Sequence, residues 1–170
     1  MSKYNLMSSE TTILEKLDRE IATIVRRYKI GAPAFAGKKI TYINFLSNRL
    51  AIIHLIRLGV PYSLFNLIRS YSPFTESDWS SFLDISTKSL QRYKQELRQF
   101  RPIQSEKIIE MAEVTNAGLD TFGNIEKFKL WLETPNFSLG DQMPMELLKD
   151  SYGKEMVLGE LTRINHGILA

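Results

Sequence analysis

Residues 75–98 read TESDWSSFLDISTKSLQRYKQELR, and the parsing of this stretch decides the architecture. Thr75 is a good N-cap, and Asp78 three positions on completes a capping box with Asp in the usual Glu position. Behind the cap, Trp79, Phe82 and Leu83 fall on one face of a helix. Asp84-Ile85 predicts a short turn with Ile85 pointing inward, and Ser86 caps a second helix. There Leu90, Tyr93 and Leu97 form the expected buried stripe. The outward positions are Thr87, Lys88, Ser89, Gln91, Arg92, Lys94, Gln95 and Arg98, all polar and none acidic. One helix locked by its apolar face, followed by one offering hydroxyls, amides and cations, is the layout of a DNA-reading helix–turn–helix. Thr87, Lys88, Ser89 and Gln91 would reach base edges, while Arg92, Lys94 and Arg98 would hold phosphates. A helical hairpin with a solvated basic face has the same pattern. The turn also carries Asp84 where glycine is usual, although Asp tolerates left-handed backbone better than most residues.

Outward from this centre, the chain reads as helices throughout. Ser8 to Ile30 places Leu14, Leu17, Ile21, Ile24 and Tyr28 at alternating spacings of three and four, behind a Thr12–Glu15 capping box. Such a seam either packs on its own domain or pairs two chains. Gly31 to Lys39 is a loop by its glycines and proline. Ile40 to Leu58 reads as one helix with its apolar stripe at Ile43, Leu46, Leu50, Ile53 and Arg57. Gly59 stops it, and Pro61 starts a helix whose broad apolar face holds Leu64, Phe65, Leu67 and Ile68. Further on, Ser105 opens a helix carrying Ile108, Ile109, Met111, Ala112 and Val114, and Asn124 caps another with Ile125, Phe128, Trp131 and Leu132. Phe137, Leu139 and Met143 are expected to fold under a loop punctuated by Pro135, Gly140 and Pro144. Gly153 reads as an interruption before a last helix with Val157, Leu161, Ile164 and Ile168 inward, and Gly167 falls where a C-cap glycine belongs. No run alternates apolar and polar residues between turn signals, so the fold class is all-α, a helical bundle.

Composition narrows the chemistry. The 170 residues, 44% hydrophobic and 24% charged, suit one or two small domains with real cores. Without cysteine there is no disulfide framework, thiolate metal site or thiol nucleophile. Two isolated histidines, His54 and His166, with no phosphate-cradling glycine loop and no HExxH, argue against an enzyme and against a metal or cofactor. The first ten residues are polar and no apolar run approaches membrane-spanning length, so a soluble cytoplasmic protein without membrane contact is expected. Charge is divided unevenly: residues 1–50 carry nine Lys/Arg against four Asp/Glu, residues 51–108 eight against five, and residues 109–170 five against ten. A basic front and an acidic back suggest two surfaces with different partners.

The chain ends RINHGILA, residues 163–170, with aliphatic residues beside a free carboxylate. The longer run from Trp131 to Ala170, WLETPNFSLGDQMPMELLKDSYGKEMVLGELTRINHGILA, strongly resembles the toxin-binding domain of the Xre/MbcA/ParS antitoxin family. Trp131-Leu132, Thr134-Pro135-Asn136, Leu139-Gly140, Pro144, Glu146-Leu147-Leu148, Gly153 and the terminal Arg163-Ile164, His166-Gly167 carry the likeness. Upstream, IRLGVPYSLFNLI (56–68) and FLDISTKSLQRY (82–93) are similar to the Xre-type helix–turn–helix that precedes this domain in the family. Departures are Asp84 in the turn, Asn165 where an acidic residue is common, and Asp141-Gln142 in the loop. The likeness spans residues 56–170 and leaves the first 50 unmatched.

The resemblance implies three parts: an N-terminal helical extension (1–50) that can dimerise, an Xre-like helix–turn–helix DNA-binding domain (51–108) and a helical toxin-binding domain (109–170). It implies the antitoxin of a type II toxin–antitoxin system, partnered by a RES-domain toxin that destroys NAD. It further implies a transcription repressor bound to its own operator DNA, working as a homodimer or a higher hetero-oligomer with toxin. The toxin-binding residues would be Arg163, Asn165, His166, Gly167, Ile168, Leu169 and Ala170, the terminal segment reaching the toxin's active site. Ile168 and Leu169 would anchor in an apolar cleft, and Arg163 and the Ala170 carboxylate would meet charged groups there. Two alternatives stand beside this. The terminal aliphatics can instead pack back onto the chain's own helices, and the chain can be a stand-alone helix–turn–helix regulator whose C-terminal domain only dimerises.

Overall fold

The computed structural model describes the backbone of residues 3–167 and the side chains of residues 12–31 and 33–167. Among them are eleven α-helices and a single 3-10 turn, with no sheet, so the chain is all-α. In order the helices are α1 (Lys3–Tyr28), α2 (Ala32–Phe35), α3 (Tyr42–Leu46), α4 (Arg49–Leu58), α5 (Tyr62–Tyr71), α6 (Glu76–Leu83), α7 (Thr87–Glu96), α8 (Pro102–Phe122) and α9 (Ile125–Leu132). The 3-10 turn (Phe137–Leu139), α10 (Pro144–Leu147) and α11 (Ser151–Asn165) complete the order. No described helix is long and apolar enough to cross a membrane. The chain forms two compact units, one running to Tyr71 and resuming over Lys88–Ile109, the other comprising Ser72–Thr87 and the chain from Glu110 on.

In the first unit the α1 seam is internal. Leu17, Ile21 and Ile24 are buried, and α1 packs on α5 and α3 of the same chain. Leu14 and Tyr28, at the two ends of the seam, are half-buried. Asp18 Oδ1 accepts the Tyr42 N–H at 2.8 Å and ties α1 to the start of α3. The stretch read as one helix from Ile40 to Leu58 is two. Thr41 caps α3 and Asn48 caps α4, its Oδ1 accepting the Ala51 N–H at 3.0 Å. The break shifts the helical phase. Tyr42, Phe45, Ala51, Ile52 and Leu55 are buried, while the expected stripe residues Ile43, Leu50 and Ile53 are exposed; only Leu46 of the apolar set keeps its inward place.

A short antiparallel bridge then fixes where α7 ends. The Phe100 N–H donates to the Val60 carbonyl at 2.9 Å and the Tyr62 N–H to the Arg98 carbonyl at 3.2 Å. Gly59 allows this approach: its φ is +94° and a Cβ there would lie 2.5 Å from the Phe100 carbonyl oxygen. The fully buried Ser105 hydroxyl accepts the Val60 N–H at 2.8 Å and donates to the Phe100 carbonyl at 3.1 Å. Ser105 is thus an interior residue of α8, which begins earlier, at Pro102, than the sequence suggested. The Phe100 ring stacks on Tyr93 of α7 at 4.3 Å and meets Phe65 of α5 at 4.9 Å.

In the second unit, the Thr75–Asp78 capping box is present with both reciprocal hydrogen bonds. Trp79 and Phe82 pack edge-to-face with each other and with Phe74, and Leu83 is buried, as the apolar pattern required. Asn124 caps α9, and Phe128, Trp131 and Phe122 form an aromatic group beside it. Phe128 lies on the α8 backbone at Gly118, where a Cβ would come within 2.3 Å of its ring. Two expectations fail here. Leu139 is buried under the loop, but Phe137 and Met143 are exposed, because the loop closes through Asn136, whose N–H meets the Gln142 carbonyl and whose side chain accepts the Ser138 N–H. Gly153 does not interrupt a helix; it sits inside α11, where a Cβ would fall 1.9 Å from the Leu147 carbonyl oxygen.

Candidate functional site

Two surfaces come out of this frame, on α7 and at the C-terminal end of α11. On α7, Leu90 is buried and Tyr93 half-buried, and the Tyr93 hydroxyl donates to Gln104 Oε1 at 3.2 Å. Those anchors turn the opposite side outward. Thr87, Lys88, Gln91, Arg92, Lys94 and Gln95 are exposed and Ser89 is half-buried. The turn before α7 is left-handed at Asp84 (φ 49°, ψ 48°), the conformation usually given to glycine. Two predicted features differ. Leu97 is not part of the buried stripe: α7 ends at Glu96, and Leu97 takes left-handed backbone (φ 49°) with 74% of its surface exposed. Arg98 lies beyond the helix, in the bridge to Tyr62, with its guanidinium against Glu96.

At the end of α11 the side chains are held by the chain itself. Arg163 Nη1 meets Glu160 Oε2 at 2.9 Å, and the Arg163 side chain stays 38% exposed. Asn165 Nδ2 donates to Asp120 Oδ2 of α8 at 3.0 Å. His166 Nδ1 lies 2.8 Å from the Thr162 carbonyl; a carbonyl only accepts, so the Nδ1–H tautomer is the one that fits. Gly167 takes φ +68° as a C-cap glycine, its N–H on the Ile164 carbonyl at 3.0 Å. Arg163, Asn165, His166 and Gly167 are thus brought together at one helix end; Ile168, Leu169 and Ala170 lie outside the described residues.

Several neighbours were not visible from sequence. Asp120, Thr121 and Thr162 join Asn165 and His166 around a small depression of about 110 Å³ between α8 and α11. Lys154 reaches Glu110 at 3.8 Å and Glu113 at 3.7 Å, a largely buried cluster that clamps α11 to α8. The Glu110–Glu113 spacing was legible, but the lysine opposite is 41 residues away and carries no local signal. The unit also exposes Leu130, Phe137, Met143, Tyr152 and Met156. Leu130 falls off the apolar stripe of its helix, which is the one sequence cue for that surface. Among the described residues no group of three or more His, Cys, Asp or Glu is placed to hold a metal ion.

Residues 117–167 match the family described as the antitoxin Xre/MbcA/ParS C-terminal toxin-binding domain. The chain is 26% identical over 143 residues to the protein named Antitoxin Xre from Yersinia enterocolitica, covering 84% of this chain and 88% of that one. It is 26% identical over 142 residues to an Antitoxin Xre from Photorhabdus laumondii, covering 83% and 88%. A chain of the M. tuberculosis MbcT–MbcA toxin–antitoxin complex is similar with a TM-score of 0.48 and 20% identity, over 72% of this chain and 99% of that one.

Proposed function

We propose that the chain works as the antitoxin of a toxin–antitoxin pair, held to its toxin by the end of α11 and to its own operator by α7; the match of residues 117–167 to the Xre/MbcA/ParS toxin-binding domain and the likeness to two proteins named Antitoxin Xre support this reading. The observation that carries the reading is the coincidence of two independent features. The matched segment is the one described as toxin-binding, and it ends on a set of polar side chains fixed in place. Side chains held before binding lose little freedom when a partner arrives. The partner is a RES-domain toxin that degrades NAD, and Ile168, Leu169 and Ala170 enter its active site, with Arg163, Asn165, His166 and Gly167 at the cleft's mouth.

The repressor role belongs to residues 51–108. Lys88, Arg92 and Lys94 stand exposed on the same helix as Thr87, Ser89 and Gln91, a set that supplies phosphate contacts and base-edge donors and acceptors. Arg98 adds a phosphate contact only if it leaves Glu96. A homodimer, or a hetero-oligomer assembled with toxin, would present two such helices to a palindromic operator.

Co-expression with the product of the adjacent toxin gene tests the reading. The toxin alone should stop growth and deplete cellular NAD; the pair should grow, keep its NAD and co-purify. A chain that elutes alone while the toxin stays active contradicts the antitoxin role. Growth arrest with NAD untouched contradicts the RES chemistry alone.

A further inference from the structure

Helix α11 contains two glycines with different reasons to be there. Gly153 is demanded by packing, since a Cβ would collide with the Leu147 carbonyl. Gly159 stands in the middle of the helix, exposed, with nothing within 4 Å of a Cβ built at its position. It forms no turn, terminates nothing and, among the described residues, gives room to no neighbour. Glycine is the poorest helix former after proline, so the residue weakens α11 with no return among the described residues.

Its surroundings show where a return can come from. Tyr152, Met156, Gly159 and Arg163 follow at spacings of four, three and four, which aligns them on one face of α11. That face is distinct from the buried one, made by Gly153, Val157 and Leu161. Tyr152 is 84% exposed and Met156 47% exposed. Arg163 has one guanidinium nitrogen on Glu160 and further N–H donors to offer. The stripe therefore carries an aromatic ring, an adaptable thioether, a bare stretch of helix backbone and a cation, and it leads toward the chain terminus. Glycine is the residue that lets another backbone approach closely, and Tyr and Met are favoured contact residues.

We propose that this stripe is a docking ledge for the toxin, with the toxin's main chain or a small side chain seated directly on α11 at Gly159. Tyr152 and Met156 fill apolar sockets on one side of that contact, and Arg163 meets a carboxylate or carbonyl on the other. The occupant is the toxin because the stripe lies wholly within the matched toxin-binding residues and runs into the terminal segment assigned to the toxin's cleft. The inference rests on the antitoxin reading and extends its contact area from Arg163 back along α11 to Tyr152.

The test uses the full-length chain and the co-expressed toxin, with affinity and melting temperature measured on the same variants. Gly159→Gln introduces a helix-favouring side chain into open space. It should melt at the wild-type temperature or about 2 °C above it and bind toxin about 30-fold more weakly. Gly159→Ala should be no less stable and lose less affinity. Tyr152→Ala with Met156→Ala should leave the melting temperature unchanged and weaken toxin binding about tenfold. Wild-type affinity in Gly159→Gln overturns the ledge while leaving the antitoxin role intact. A wild-type chain that binds no toxin overturns the role itself. If Gly159→Gln instead lowers the mass of the toxin-free chain in light scattering with toxin affinity unchanged, the stripe joins two copies of the chain and the toxin ledge is wrong.

Discussion

Helix α7 and the end of α11 are both polar surfaces on helices anchored by apolar residues, and they hold their side chains in opposite ways. On α7, Lys88, Arg92 and Lys94 are exposed on a helix anchored by Leu90 and Tyr93. At α11, Arg163, Asn165 and His166 are each held by a partner in the chain. Long exposed cations suit a repeating polyanion, where charge matters more than exact placement and salt competes directly. Fixed side chains suit one shaped partner, where placement is set before contact. The lesson is that the two surfaces differ in how their side chains are presented: exposed cations on α7, side chains hydrogen-bonded within the chain at the end of α11.

Four variants press on that contrast, in decreasing order of expected effect. Gly153→Ala drives a methyl into the Leu147 carbonyl and should destabilise by about 3 kcal/mol, with loss of toxin binding, in thermal melts and pull-downs. An unchanged melt would show that α11 is not locked at Gly153. Lys88→Ala with Arg92→Ala should weaken operator binding at least tenfold and flatten the plot of log affinity against log salt by about two units of slope, leaving toxin binding intact. A salt dependence equal to wild type would remove α7 from the DNA contact. Ser105→Ala strips the buried hydroxyl from the Val60 N–H and the Phe100 carbonyl and should cost about 1–3 kcal/mol, read by denaturant titration. The smallest effect belongs to Asp120→Ala, which releases Asn165. Toxin affinity should fall about threefold to tenfold with DNA binding unaltered. If toxin affinity stays the same, the rigidity at the end of α11 plays no part in recognition.

What could be read in the sequence was what local chemistry decides. The Thr75–Asp78 box, the Asn124 cap, the left-handed turn at Asp84 and the cap glycine at Gly167 each follow from a few adjacent residues, and each is in the structure. Apolar spacing placed Trp79, Phe82, Leu83, Leu17 and Ile21 inside for the same reason. The errors arose where distant backbone decides. Ile43, Leu50 and Ile53 keep helical spacing across a break that only Asn48 marks, so the stripe looked continuous and is not buried. Leu97 fits the α7 periodicity, but the Phe100 N–H bond to the Val60 carbonyl and the Tyr62 N–H bond to the Arg98 carbonyl hold the chain out of the helix there. Gly153 resembles a helix breaker until the Leu147 carbonyl is placed over it. In the candidate site, the terminal motif was legible as a motif, and Glu160 stands three residues before Arg163 on the same helix, a local pairing; Asp120, which holds Asn165, belongs to no local pattern and emerges only when α8 and α11 lie side by side.

The central claim is that the chain neutralises its toxin with its C-terminal end. Removal of residues 165–170 tests it most directly, because α11 keeps Val157 and Leu161 in the core and loses only its tip. The account predicts a truncated protein that melts within a few degrees of wild type, binds operator DNA normally and no longer neutralises the co-expressed toxin. A truncated protein that folds and neutralises the toxin as fully as wild type would contradict it.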